Sequence, residues 1–585
     1  MSADMRAVRY HVEIDDLHAH RWRVTLTLAH PAPRQRLALP AWIPGSYLVR
    51  EFSRHLGGLQ ARQGRREVAL AQLDKRTWEA TCSGRAALVV TWWVYAFDPS
   101  VRCAWLDANR GFFNGTSLFL AAEGREDEEH RLTLGPLPEG WEVATGLPEA
   151  APREYVAADH AALIDHPFEM GPFWRGRFEA CGVPHEFVVA GAAPGLDGER
   201  LLADARRICE AQIRFWHGHD RGLDPAPFER YVFMLHATDD GYGGLEHRNS
   251  TALICNRRDL PRRGDAATSD GYVTLLGLIS HEYFHTWNVK RMRPREHARL
   301  DLSGEHYTRM LWFFEGFTSY YDDLFLVRTG LIDEARYLRL LARTANQVLG
   351  TPGRHVQSVA QASFDAWIKY YRPDENTANL TVSYYTKGSQ VALALDLTLR
   401  AEGRGTLDDV MRGLWRRGGG GPIGEDDVRA VLAEVGRRSF DAELDAWVHG
   451  TADLPLPERL DALGVTWRRD KPLLTQRLGA RLQESAGGLK VQSVVGGGLA
   501  ERAGLAAGDE ILALDDWRVV KPEDLPLYGA FERPRALLVA RDRRLMHLTL
   551  PASGEVEGAV SLALADRPAA GVRRRRQAWL LRVPA

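Results

Sequence analysis

Five consecutive residues, His281-Glu282-Tyr283-Phe284-His285, set two imidazoles four positions apart with a carboxylate directly after the first. On an α-helix, positions i and i+4 share a face about one turn apart, so both rings can meet one ion. The competing reading is two core histidines beside a surface acid, and three fixed letters in five do not decide between them. A metal that activates water takes three protein ligands and keeps a further position open. Glu315, in LWFFEGFTSYYDD, lies in an aromatic, otherwise apolar segment where a bare carboxylate is costly to bury. A metal offsets that cost; exposure on the polar face of an amphipathic helix is the alternative.

With an ion held there, the neighbouring acids acquire roles. Glu282 falls off the axis joining the two histidines yet stays within reach of an activated water, whose proton it can take and pass to a leaving amine. Asp322, seven residues beyond Glu315, sits two turns along on roughly the same face and could orient a ligand imidazole. Asp323 is its rival, and either acid also reads as a plain surface residue. His-Glu-x-x-His followed by such a glutamate is the pattern of a zinc peptidase.

The elements that must position these groups are legible as periodicities. Residues 1–180 hold short alternating runs such as YHVEI, RVTLTLAH and ALVVTWWVYAF between Pro- and Gly-containing turns, which indicates an antiparallel sheet domain. Within it, LPAWIPGSYLVREF (39–52) and RGFFNGTSLFL (110–120) are conspicuously aromatic, either as core packing or as a wall of a substrate cleft. Helical spacing takes over from about residue 200. LLADARRICEAQIRFW, YVTLLGLISHEYFHTW, RMLWFFEGFTSYYDDLFLVRTG and SYYTKGSQVALALDLTLRAEG read as helices, the second apolar on most sides and hence buried. RRGGGGPIGEDDVRAVLAEV (416–435) reads as a loop before a helix with an acidic start. After residue 464 strands return: Gly487–Val495 is a strand, and residues 499–519 supply a short helix, a turn and another strand. GVRRRRQAWLLRVPA (571–585) reads as a solvated basic tail.

The whole chain bounds the options. Its 585 residues suffice for three or four cores. A net charge of -2 gives no electrostatic case for nucleic acid or an anionic membrane as partner. Five scattered cysteines, Cys82, Cys103, Cys181, Cys209 and Cys255, form neither a disulfide framework nor a zinc ribbon. The first residues lack the apolar stretch of a signal peptide and no apolar run is long enough to span a bilayer, so a cytoplasmic, membrane-free protein is the expectation.

HEYFHTWN followed by EGFTSYYD resembles the gluzincin clan of zinc peptidases, the thermolysin and aminopeptidase N relatives. The resemblance implies one zinc ion per chain held by His281, His285 and Glu315, with Glu282 as the base. YGGLEHRNS (242–250) is similar to the clan's exopeptidase motif, commonly GGMEN, whose glutamate grips a free α-amine; that role maps onto Glu246, with Gly243 and Gly244 alongside the substrate. YYTKG (384–388) is similar to YEKG, whose tyrosine stabilises the oxyanion, and maps onto Tyr385. WIPGSYLVREF, FFNGTS, GGLEHRNS, HEYFHTWNVKRMRP and the C-terminal part together resemble the glycyl aminopeptidase family that carries a PDZ domain. That likeness implies removal of N-terminal residues, small ones such as Gly and Ala preferred, from peptide substrates. Two departures stand out: 29 residues lie between His285 and Glu315, more than in aminopeptidase N, and GGLEH stands in place of GGMEN.

Physical reasoning agrees on several roles. An oxyanion needs a preorganised donor, and a phenol such as Tyr385, or Tyr384 in its place, supplies one. An aminopeptidase counts from the free amine, and the glycines before Glu246 permit close backbone approach to a strand edge there; Glu305 and Glu375 are the alternatives. Lys290, Arg291, Arg293 and Arg295 could meet a peptide carboxylate or backbone carbonyls, or form structural ion pairs. QRLGARL (476–482) could supply the loop of backbone N–H groups, at Leu478, Gly479 and Ala480, by which a PDZ groove holds the C-terminus of a peptide or protein partner. The expected fold class is a multidomain α+β protein. It comprises an N-terminal antiparallel β domain (1–180), a thermolysin-like catalytic domain with a helical end (181–460), a PDZ-like β domain (461–570) and a basic tail (571–585). The alternatives are a catalytically silent peptide-binding protein on a protease scaffold and a zinc endopeptidase.

Overall fold

The computed structural model describes residues 8–485 and 488–580, which form two compact units, 8–306 with 420–422 and 307–419 with 423–580. In the first unit, alternation decides which strand faces are buried. Arg21–Leu28 points Trp22, Val24, Leu26 and Leu28 inward, and Leu88–Tyr95 adds Leu88, Val90, Trp92 and Val94 to the same core. These two strands pair antiparallel at the centre of an eight-stranded sheet. One pair departs from the expected antiparallel pattern: Val8–Asp16 runs parallel to His130–Leu134, so the chain between them must cross over. The aromatic segment 110–120 belongs to the core, with Phe112, Phe113, Leu118, Phe119 and Leu120 all buried. The apolar residues of that segment are accounted for by packing.

Beyond this domain lies a five-stranded sheet: β1 (Trp174–Ala180), β2 (Val183–Ala190), β3 (Tyr231–Thr238), β4 (Gly243–Glu246) and β5 (Ser250–Asn256), in spatial order β1-β2-β3-β5-β4. β2, β3 and β5 are mutually parallel in sequence, while β4 turns back antiparallel and forms the sheet's edge. Two helices pack with it, α1 (Gly198–His217) and α2 (Asp270–Phe284). Helix α2 starts where Ser269 accepts the Tyr272 N–H and Asp270 meets the positive end of the helix dipole. Its side chains are buried on most sides, as its all-round apolar sequence requires. Gln212 of α1 donates to the Ser280 carbonyl at 2.8 Å, fixing α2 one residue before its first histidine.

The second unit is helical and then β-rich. Helix α3 (Leu311–Arg328) and helix α4 (Thr386–Glu402) pack together, followed by helices Leu407–Gly418 and Glu425–Gly436. A separate core of Leu489, Val491, Ile511, Leu514, Leu537 and Val539 then organises a sheet in the order Ala480–Ser485, Gly488–Val494, Glu510–Leu514, Arg535–Arg541, Arg544–Leu550. The short helix expected after residue 498 is Leu499–Ala503. Gly487 lies outside the described residues.

The expected solvated tail is otherwise. Residues Ala570–Leu580 form a helix, α5, and Trp579 is fully buried. Its indole N–H donates to the Tyr320 hydroxyl at 3.0 Å, and Arg328 donates to its carbonyl at 3.2 Å. The apolar residues after the four arginines anchor this helix, and Arg576 pairs with Glu334 at 3.5 Å; residues 581–585 of the tail lie outside the described residues. No helix among the described residues is long and apolar enough to cross a membrane.

Candidate metal and peptide site

His281 and His285 occupy the last turn and the C-cap of α2, and their Nε2 atoms converge to 3.0 Å. Nδ1 of His285 lies 2.7 Å from the Asn288 carbonyl. An imidazole donating there presents its Nε2 lone pair, the form a metal needs. Glu282 is 5% exposed and projects from the same turn toward the sheet edge. A Cβ on Gly244 of β4 would stand 2.1 Å from its Oε1, so only glycine at this position admits the carboxylate. This explains the glycine in GGLEH through sterics.

Glu246 ends β4 and is 4% exposed, while the alternatives Glu305 and Glu375 are both exposed. Donor atoms of Glu246, Glu282 and His285 all lie within 4.8 Å of one another. Oε1 of Glu246 is buried with no hydrogen-bond partner among the described residues. A desolvated carboxylate oxygen without a donor is expensive, which marks it as shaped for a cation or donor from outside the chain. Gly45, from the aromatic segment 39–52, presses on this carboxylate: with φ +91°, its missing Cβ would fall 2.5 Å from Glu246 Oε1. Trp42, Pro44, Gly45 and Tyr47 of that segment line a cavity of about 650 Å³ together with Glu246 and His247. Next to it, Lys290 reaches Asp165 at 2.6 Å and His247 reaches the same carboxylate at 3.3 Å. Burial pushes the Asp165 carboxyl up, but Lys290 and His247 outweigh it and hold it well below its usual range.

In the second unit, Glu315 is 2% exposed on α3. Tyr385 is the N-cap of α4 and only half-buried, whereas Tyr384 beside it is fully buried. Burial first and the Glu315 charge second push the Tyr385 phenol well above its ordinary range, so it stays protonated and able to donate. Tyr370 stacks on it with ring centroids 5.3 Å apart. Asp322 and Asp323 are both half-buried on α3; Asp323 lines a small cavity with Tyr320 and Tyr337, and Asp322 accepts the Asp323 N–H.

At the expected carboxylate loop, Leu478 ends a short helix, Gly479 takes φ +69°, and Ala480 starts a strand. The Gly479 N–H already donates to Thr475 at 2.9 Å, so one of the three amides is committed to closing that helix. Sequence reasoning missed Gly45 and Asn288. The first carried a signal, a glycine between two aromatic residues in a segment already marked as a possible wall; the second carried none, because a backbone carbonyl has no sequence signature.

Comparison with known proteins follows the same order along the chain. The Peptidase M61 N-terminal domain matches residues 9–172, M61 glycyl aminopeptidase residues 274–391 and the PDZ domain residues 466–525. The crystal structure of an aminopeptidase N family protein from Idiomarina loihiensis is 36% identical, covers 98% of this chain and 100% of that one, and superposes with a TM-score of 0.91. Aminopeptidase N of Haemophilus influenzae is 27% identical over 175 residues, which is 29% of this chain and 17% of that protein's length. The chain thus belongs to the aminopeptidase N family, as a member built from M61 glycyl aminopeptidase and PDZ domains.

Proposed function

We propose that the protein is a zinc aminopeptidase that removes small N-terminal residues, Gly and Ala foremost, from peptides. One zinc ion per chain would be held by His281, His285 and Glu315, whose two imidazoles and carboxylate are a donor set suited to that ion. When bound, it supplies a Lewis acid that polarises the scissile carbonyl and acidifies water. The observation that carries the reading is the buried, unpartnered Oε1 of Glu246 beside Glu282 and His285. It gives the substrate ammonium a charge-assisted partner one residue's length from the reacting carbonyl.

The remaining roles follow. The β4 edge offers backbone groups to an extended substrate, adding it as a further strand. Glu282 takes a proton from the attacking water and returns it to the departing amine. Tyr385 donates its hydroxyl to the carbonyl oxygen as charge builds there, and Asp322 orients a ligand imidazole. Gly243 and Gly244 allow close backbone approach at this edge, where Arg102 donates to the Gly244 carbonyl at 3.2 Å. The PDZ domain takes a peptide or protein C-terminus against Ala480–Ser485, which is the edge strand of its sheet. All five cysteines are unpaired, in keeping with a reducing, cytoplasmic setting.

The test is zinc analysis of the purified protein together with hydrolysis of trialanine and N-acetyl-trialanine. Expected are one zinc per chain and cleavage confined to the free-amine peptide. Equal cleavage of both peptides would show an endopeptidase, and zinc-loaded protein without hydrolysis of either would show a silent peptide-binding scaffold.

A further inference from the structure

The cavity that starts at Glu246 carries a second, oppositely charged wall. Lys290, Arg248 and Arg293 all line it. Lys290 is committed to Asp165 at 2.6 Å, and the neighbouring Arg291 is committed to the carbonyls of Arg248, Thr286 and Pro227 at 2.8, 2.8 and 2.6 Å. The guanidinium groups of Arg248 and Arg293 have no acidic partner among the described residues, and Nε of Arg293 is buried without any hydrogen-bond partner. Burial, and after it the charge of Arg248, disfavour the Arg293 cation, with Asp165 only partly offsetting them. Two like charges brought together at a half-enclosed wall, one with a desolvated donor left over, describe a receptor for an anion.

A cavity of about 650 Å³ is of a size that encloses a small ligand; a protein chain would need an open groove. That one space is lined by Glu246, whose Oε1 lacks a donor, by Arg293, whose Nε lacks an acceptor, and by the exposed Arg248, with the acids Glu123, Glu126, Asp127, Asp159, Asp165 and Asp301 elsewhere on its wall. A short peptide with both ends free is the zwitterion that matches them: its ammonium meets Glu246 and its terminal carboxylate meets the arginines through planar, two-pronged hydrogen bonds.

We infer that the site selects short peptides by their free C-terminal carboxylate, read by Arg248 and Arg293, while Glu246 reads the amine. This rests on the aminopeptidase reading above and adds a length and end-group filter to it. Longer chains or amidated peptides leave the buried Nε of Arg293 unpaired and give Arg248 no charged partner, and that unmatched cost sets the discrimination.

The experiment compares kcat/KM of the zinc-loaded protein for trialanine, trialanine amide and N-acetyl-trialanine, then repeats it with Arg293→Gln and Arg248→Gln. Expected is a preference for the free acid over the amide of about ten- to a hundredfold, the worth of a charged hydrogen bond, carried mainly by KM. In either variant the acid-to-amide ratio falls toward one. Acid and amide cleaved equally well by the unaltered protein, with the acetylated peptide still resistant, overturns this inference and leaves the aminopeptidase reading intact. No hydrolysis of any of the three overturns both. A ratio unchanged in both variants moves the carboxylate site away from these arginines. The first comparison needs no substitution, so it stands even where a variant fails to fold.

Discussion

Gly316 and Gly388 meet backbone to backbone: a Cβ on Gly316 would lie 2.6 Å from the Gly388 Cα, and one on Gly388 would lie 2.6 Å from the Trp312 carbonyl. Helices α3 and α4 therefore cross at their closest approach one residue after Glu315 and three residues after Tyr385. The acid and the phenol owe their nearness to two missing methyl groups. Gly316→Ala should force the helices apart, costing about 1–3 kcal/mol of stability as an overpacked contact does. It should also lower turnover more than the loss of folded protein explains. Thermal unfolding and kcat on the same preparation check this, and an unchanged kcat would show that the crossing does not set the Tyr385 position.

Glu282→Gln keeps the shape of the side chain but removes its ability to accept a proton. Turnover should fall by roughly 10²–10⁴-fold, the usual contribution of a positioned base, with zinc content unchanged. His281→Ala and His285→Ala should lose zinc and activity together. Metal analysis separates the two classes directly.

Most residues of the candidate site were legible in the chain as candidates, and the reason is local. His281, Glu282 and His285 lie within one helical turn, Gly244 and Glu246 within one strand, and Glu315 and Asp322 on one helix, so fixed periodicities relate them. What escaped was decided by contacts between distant segments. Gly45 touches Glu246 across about two hundred residues of sequence. The buried Trp579 escaped because four preceding arginines dominate the composition of its helix, while only the few apolar residues after them contact α3. The aromatic segments 39–52 and 110–120 look alike in sequence and both feed the core, but in the first Trp42, Pro44, Gly45 and Tyr47 also line the cavity at Glu246.

The C-terminal helix makes its own prediction. Trp579 fills space beside Tyr337 and donates to Tyr320, which in turn donates to Asp396 of α4 at 2.6 Å. Trp579→Ala should cost about 3–5 kcal/mol, as expected for deleting a buried indole. A lower urea midpoint at an unchanged m-value is the readout. No change in the midpoint would return this segment to the status of a solvated tail.

Acid should weaken the first unit through its buried histidines. His185 belongs to β2 and reaches α2, with Nδ1 2.8 Å from the Val183 carbonyl and Nε2 2.9 Å from the Tyr283 hydroxyl. Burial lowers its pKa to about 4, partly offset by the Val183 hydrogen bond, against an unfolded value of about 6.5. Between these values the unfolded chain binds the extra proton, so stability rises with pH there. The contribution is complete above about pH 6.5 and is lost as pH falls toward 4, below which it no longer changes. His185→Gln should therefore show a flatter decline of Tm between pH 7 and pH 4.5 than the unaltered protein. Parallel declines would mean that His185 does not titrate on unfolding; His160 and His236, both lowered to about 3 by burial, would then be examined in turn.

The contact between Gly45 and Glu246 separates amine recognition from chemistry. Gly45 has φ +91°, a conformation that a side chain disfavours, and any Cβ there would overlap both carboxylate oxygens of Glu246, at 2.5 and 2.6 Å. Gly45→Ala must therefore either displace the Glu246 carboxylate or retract the 42–47 segment that lines the cavity. The histidine pair keeps its own supports, α2 and the Asn288 carbonyl, although His285 lies within 4.8 Å of the Glu246 carboxylate. The expected result is retained zinc with a KM for trialanine raised roughly tenfold or more, since one charge-assisted hydrogen bond is misplaced. Glu246→Ala should go further, losing most of the preference for trialanine over its N-acetyl form. If Gly45→Ala raises KM while Glu246→Ala leaves the free-amine preference intact, the segment acts as a wall for the side chain of the substrate and the anchor lies elsewhere. If both substitutions leave the kinetics unchanged, the close approach of these two residues serves the fold alone.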